Sequence, residues 1–203
     1  MIDILNRKIR QMHLTLSNIK KDDLSEMKIE RGETVDGFYC EINFNNNTSD
    51  VELANIASLL ISNIACLKDH LKIWCEKNGR SFDGDKLINS NRDVAIIHDL
   101  WNIDKHAELN KPPRSGHYPK LTGLRRVLAL LSGPQLGSSS SLSINTRTGE
   151  AIVGTSGSGK VQLAIFAQVV DENNNTLGLF QNICEQAAEA WEQEFKKVGV
   201  PIP

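Results

Sequence analysis

Cysteine is scarce and badly spaced for chemistry. Cys40, Cys66, Cys75 and Cys184 are the only four in 203 residues, and no two form a C-x-x-C pair. A zinc knuckle and a thioredoxin-type redox motif are excluded, and the thiols read as reduced side chains of a cytoplasmic protein. An excess of one charge is lacking too, since 23 basic and 25 acidic residues leave a formal net charge of -2. No global field draws such a chain to nucleic acid or to an anionic membrane, so an anionic partner must be met by a local patch. Apolar runs are short: VLALLSG, at 127–133, is cut off by Gly133 and Pro134. A membrane-spanning helix needs roughly 18 to 20 such residues, so no membrane partner is expected. The opening MIDILNRKIRQMHLTL has neither the apolar core nor the small-residue cleavage site of a secretory signal. No H-E-x-x-H arrangement occurs, and the expectation is a protein without metal or other cofactor.

What the chain does have is a 40% share of hydrophobic residues, enough to build a core. Over residues 2–20, Ile2, Leu5, Ile9, Met12, Leu16 and Ile19 recur at steps of three and four and predict an amphipathic helix. Residues 27–44 place β-branched and aromatic side chains around the turn-prone Asp36-Gly37, which predicts a hairpin. Ser49 and Glu52 carry the spacing of a capping box. After them Leu53, Ile56, Leu60, Ile64, Leu67, Leu71 and Trp74 predict one long helix, ended by Asn78-Gly79. A third helix is predicted over 87–109, with Val94, Ile97, Leu100, Trp101 and Leu109 as its apolar stripe and Asn110, Pro112 and Pro113 as its stop. Strands are predicted near 127–131, 141–145, 150–153, 161–170 and 176–179, followed by a closing helix over 182–198. No repeat of fixed period is visible. The layout predicts a single α+β domain over 1–203: long helices to about 110, an antiparallel β region over about 120–180 and a C-terminal helix.

Gly154 to Lys160, GTSGSGK, has the G-x-x-x-x-G-K spacing of a phosphate loop. Val161 stands where a magnesium-holding hydroxyl is needed, the continuation VQLAIFAQVV reads as strand rather than helix, and only 43 residues remain for a parallel sheet. A glycine-serine turn is the better reading.

The organised polar residues lie on the helices. His98, Asn102 and His106 are four apart and share one face, with Asp99 and Lys105 beside them, while Asn63 and His70 share a face of the preceding helix next to Asp69. Antiparallel packing of the two helices would bring these stripes together. Two imidazoles near a lysine suit general acid-base work at neutral pH. The competing reading is a satisfied polar network that fixes helix register.

The segments SNIACLKDHL, 62–71, and LWNIDKHAEL, 100–109, resemble the paired signatures of a group of uncharacterised bacterial proteins. In that group an Asn-Leu-Arg-x-x-Leu-Asp-His helix precedes an Asn-x-x-Lys-His-Arg helix and a β region. The matching positions are Asn63, Asp69, His70, Asn102, Lys105 and His106, whereas Ala65 and Ala107 stand where the group has arginine. The layout also resembles the HEPN superfamily of helical bundles, many of them RNases of toxin–antitoxin and antiphage systems. Their motif, an arginine with histidine after four to six intervening positions, is matched by Arg92 with His98 and by Arg7 with His13. The resemblance implies metal-independent RNA cleavage with His98 as acid or base and Arg92 at the phosphate, RNA as partner, and a homodimer. Lys111, Arg114, Lys120, Arg125 and Arg126 follow the histidine ladder with His117 and Tyr118 among them, a basic loop suited to guiding phosphates. The catalytic candidates are Arg92, His98, Asn102, Lys105 and His106, and the substrate-binding candidates Asn63, His70, Lys111, Arg114 and Lys120. The alternative is a non-catalytic ligand- or protein-binding module in which the same Asn, His and Lys rungs are structural.

Overall fold

A computed structural model describes residues 2–18, 20–21, 28–34, 37–43, 49–106, 109, 111–131, 135–145, 147 and 151–201. Among them the order is α1 Ile2–Asn18, β1 Lys20–Lys21, β2 Lys28–Thr34, β3 Gly37–Asn43, α2 Asp50–Ala65, α3 Leu67–Lys77, α4 Gly84–Ser90 and α5 Arg92–His106, followed by β4 Lys120–Leu131, β5 Ser139–Ile144, β6 Ala151–Ser156, β7 Lys160–Val170, β8 Thr176–Leu179 and α6 Phe180–Val198. The fold is α+β, with antiparallel pairing of β1 and β8 to β7, of β2 to β3 and of β5 to β6. The chain divides into two compact units, one of Met1–Asn18, Leu53–Leu124 and Phe166–Pro203, the other of Ile19–Glu52 and Arg125–Ile165.

The first unit holds the helical core. Leu5, Ile9 and Met12 of α1, Leu53, Leu60 and Ile64 of α2, and Leu67 and Leu71 of α3 are fully buried. So are Ile96 and Ile97 of α5 and Phe180, Trp191 and Phe195 of α6. The i, i+3, i+4 spacing of these residues is what forces the helices to share a core. α6 ends on Gly199 at φ 83, whose N–H donates to the Lys196 carbonyl at 3.1 Å while that of Val200 reaches the Phe195 carbonyl at 2.9 Å. This is a Schellman closure, and it needs a residue at ease with positive φ.

The helix boundaries differ from the sequence expectation at two places. The long second helix is interrupted at Cys66, although the ladder runs through it: Cys66 N–H donates to the Ser62 carbonyl at 3.0 Å and His70 N–H to the Cys66 carbonyl at 3.3 Å. The expected helix over 87–109 begins only at Arg92, because Asn91 is extended and its Oδ1 accepts the N–H of Asp93 at 3.1 Å and of Val94 at 3.0 Å. An asparagine that can cap a new helix does so instead of continuing an old one. The residues before it form a separate short helix, α4, which takes in the start of the expected one and is capped by Asp83 at the Lys86 N–H, 3.1 Å. The stretch Asp50–Lys77 is long and apolar enough to cross a membrane by length and composition only, and in this fold Leu53, Leu60, Ile64, Leu67 and Leu71 within it are buried in the protein.

The second unit contains the expected hairpin, β2–β3, in register from Lys28 with Asn43 to Thr34 with Gly37; Asp36 at its tip lies outside the described residues. The capping box is formed, with Ser49 N–H donating to Glu52 Oε2 at 3.0 Å and Glu52 N–H to Ser49 Oγ at 3.2 Å. GTSGSGK runs from β6 through a turn into β7, so Lys160 opens a strand. Its glycines serve close packing: a Cβ on Gly159 would lie 2.0 Å from the Ser139 carbonyl oxygen.

Candidate ligand-binding cleft

α5 carries most of the residues that the sequence singled out, and the helix sorts them by burial. Val94 to Leu100 are all buried, so this part of the helix has no wet side. His98 is 6% exposed, edge-on to Trp101 with ring centroids 6.0 Å apart, and its Nε2 is buried without a hydrogen-bond partner among the described residues. Burial, then the cations of Lys68 and Arg114, push its pKa down to about 4, against the opposing pull of Asp85. The imidazole is therefore neutral at pH 7 and closed to solvent. The expectation of a solvent-accessible acid-base His98 is corrected here: enclosure of the whole first half of α5 removes the wet face that the periodicity implied.

Asp99, one position on, was not chosen from the sequence and organises the site. It is 2% exposed; Oδ1 accepts the Arg114 N–H at 3.1 Å, and Oδ2 accepts the Ser115 N–H at 2.8 Å and the Ser115 hydroxyl at 2.7 Å. A buried carboxylate satisfied by three donors fixes the loop after α5. The Arg114 guanidinium continues outward to Asp85 at 2.8 Å and Asn89 at 3.2 Å, and Lys68 also reaches Asp85 at 2.9 Å. The Lys68 hydrogen bond foremost, with Arg114 assisting against partial burial, holds the Asp85 carboxyl below its usual range.

Between the end of α5 and this pinned loop lies a cavity of about 220 Å³. Asp99, Asn102 and His106 line its helical side, and Leu109, Lys111, Pro112 and Arg114 line its loop side. Four of the ten sequence candidates thus converge: Asn102, His106, Lys111 and Arg114. Lys105 is close in sequence but exposed, its ammonium 5.0 Å from the centre of the Trp101 ring.

The remaining candidates sit elsewhere. Arg92 is exposed, 3.3 Å from Asp93, and donates to the Leu177 carbonyl of β8, so it secures a strand. Asn63 is buried and donates to Thr15 Oγ1 at 3.1 Å, while Thr15 donates to the Gln11 carbonyl at 2.7 Å. His70 is half-buried; burial first, then Lys8 and Arg7, lower its pKa while Asp69 opposes them. The polar stripe of α2 and α3 therefore finds its partners on α1, which replaces the expected meeting with the α5 stripe. Lys120 is exposed at the start of β4. Outside the cleft, donor atoms of His117, Asp171 and Glu172 lie within 4.8 Å of one another and could hold a metal.

Asp99 could have been found from one signal: an acid in an otherwise apolar helical stretch, upstream of a tight Pro-Pro-Arg-Ser-Gly loop offering free amides. Comparison with protein-family models, with curated proteins and with solved structures gives no match for this chain.

Proposed function

We propose that this chain is a non-catalytic binding module whose cleft beside the end of α5 takes a phosphate-bearing ligand, with single-stranded RNA as the partner. The reading rests on the division of the imidazoles: His98 is sealed and neutral, whereas His106 lines the cleft with Asn102, Lys111 and Arg114. Metal-independent RNA cleavage calls for an acid and a base at one phosphodiester, and a single chain offers one imidazole there. Binding asks for less. Lys111 supplies a full charge and Asn102 an amide, while Asp99 in the wall is already occupied by three donors. The Arg114 guanidinium is already paired with Asp85, so the attraction for a phosphate comes from Lys111, whose full charge exceeds the roughly half negative charge at the C-terminal end of α5. Drug-sized ligands fill roughly 300–1,000 Å³, so a smaller cavity suits a phosphate with part of its sugar. Among phosphate-bearing ligands, the HEPN resemblance and the basic loop favour RNA in the cytoplasm.

One observation favours a second reading, a HEPN-like RNase of toxin or phage-defence type acting as a homodimer: His106 and Lys111 share the cleft, and a second copy would have to bring the missing acid-base group. Anisotropy with a labelled single-stranded RNA separates the two. The binding module should hold RNA at low salt and release it as salt rises. Lys111→Ala and His106→Ala should each weaken binding about five- to tenfold without lowering the Tm, the RNA staying intact. Cleavage that disappears in His106→Ala would transfer the conclusion to the nuclease, and no RNA binding at low salt would reject both.

A further inference from the structure

The loop that Asp99 pins at Arg114 and Ser115 is tied down again three residues later, where the Tyr118 N–H donates to Glu172 Oε2 at 3.0 Å. Glu172 belongs to the turn between β7 and β8, and that turn is closed by Asp171. Asp171 is 5% exposed; its Oδ1 accepts the N–H groups of Asn173 at 2.9 Å and Asn175 at 2.7 Å, and its Oδ2 accepts the Asn175 side-chain amide at 2.9 Å. The Asn175 side chain first, and the backbone donors with it, keep the Asp171 carboxyl ionised below its usual range. His117 lies between the two anchors of the loop, so its backbone has little freedom. Its ring, one oxygen of Asp171 and one of Glu172 converge within 4.8 Å from segments more than fifty residues apart in sequence. Among the described residues no hydrogen bond or ion pair joins the ring to either carboxylate. Three ligand-type atoms are thus gathered around a common point without having closed upon one another.

Ligand bonds of about 2.0–2.2 Å place neighbouring donors roughly 3–4 Å apart around an ion, a separation that fits inside the 4.8 Å within which these atoms lie. Both carboxylates lie beside each other, and a cation would relieve their mutual repulsion. One nitrogen and two oxygens suit a borderline first-row ion, whereas calcium and magnesium prefer oxygen throughout. We propose that His117, Asp171 and Glu172 form a binding site for a borderline divalent cation such as zinc, with water completing its shell. The ion fastens the loop after α5 to the β7–β8 turn. This site is separate from the RNA reading and stands or falls without it.

The test is calorimetric titration of the chelator-treated full chain with zinc chloride, then with manganese and calcium chlorides, alongside hydrogen exchange of the amides of residues 115–118. Asp171 is left intact because it holds the turn. The expected result is one zinc per chain, at least about tenfold weaker binding in both His117→Ala and Glu172→Gln, an unchanged metal-free Tm, and zinc-dependent slowing of exchange in 115–118 that both variants lose. The proposal is overturned by no binding at millimolar zinc, by equal affinity in the variants, which would put the ion at another histidine such as His13 or His106, or by calcium binding as tightly as zinc.

Discussion

The residue that decides most is His98, because the same imidazole is attractive on a helical wheel and inert in a core. Its pKa of about 4 fixes the direction of a pH effect. An unfolded imidazole takes up its proton near pH 6.5, and the folded one does so only near pH 4. Between those values the unfolded state binds more protons, so stability is intact above about pH 6.5 and falls as the pH drops, by about 3 kcal/mol near pH 4. Urea denaturation of the native chain and of His98→Leu at pH 7.5 and pH 4.5 measures this: the native chain should lose the larger increment, and equal losses would contradict a buried neutral imidazole. Asp99 is the complementary case. Asp99→Ala should lower stability by about 2–4 kcal/mol, since it orphans the amides of Arg114 and Ser115, and should raise amide exchange in that loop. Asp99→Asn keeps an acceptor and should lose less.

At the scale of elements, the end of one helix and the start of the next depend on single side chains. Asn91 separates α4 from α5 by accepting two N–H groups, and Asn91→Ala should cost about 1 kcal/mol in chemical denaturation with no change in the cleft. A cost near zero would mean that packing alone holds the boundary. In the β6–β7 turn, glycine is required by proximity rather than by a ligand. Gly159→Ala pushes a methyl group into the Ser139 carbonyl and should destabilise that part of the second unit, seen as faster exchange of β5 and β6 amides. An unperturbed variant would show that the turn can move aside.

Across the molecule, the distribution of burial predicts uneven stability. The helical unit contains the fully buried Trp191, Phe180, Phe195, Leu53, Leu60, Leu67 and Leu71, while among the described residues β5 and β6 pair only with each other, and Leu136, Ile152 and Val153 nearby are exposed. A two-stranded sheet has little independent stability in water. Native-state hydrogen exchange should therefore find the slowest amides in α5 and α6, and amides of β5 and β6 at least about tenfold faster; the reverse order would refute this reading of the core.

Periodicity was enough to place most of the elements, though not the break at Cys66, α4 or β1. Steps of three and four set α1, α2, α3 and α6, and alternation bounded by turn residues set the β2–β3 hairpin and β7, because these patterns are intrinsic to how each backbone presents its side chains. The α+β class followed from their order. The Asn102, His106, Lys111 and Arg114 part of the cleft was also legible, since a helix terminus and the loop leaving it cannot be far apart. What periodicity could not supply was which face of α5 stays wet. Spacing assigns His98, Asn102 and His106 to one stripe, and only the packing around the first half of the helix seals His98 while leaving His106 open. Asp99 left a trace, an acid within an apolar helical stretch ahead of a Pro-Pro-Arg-Ser-Gly loop, but its burial did not show, and the His117, Asp171 and Glu172 cluster was invisible: burial and the meeting of distant segments are properties of the assembled core.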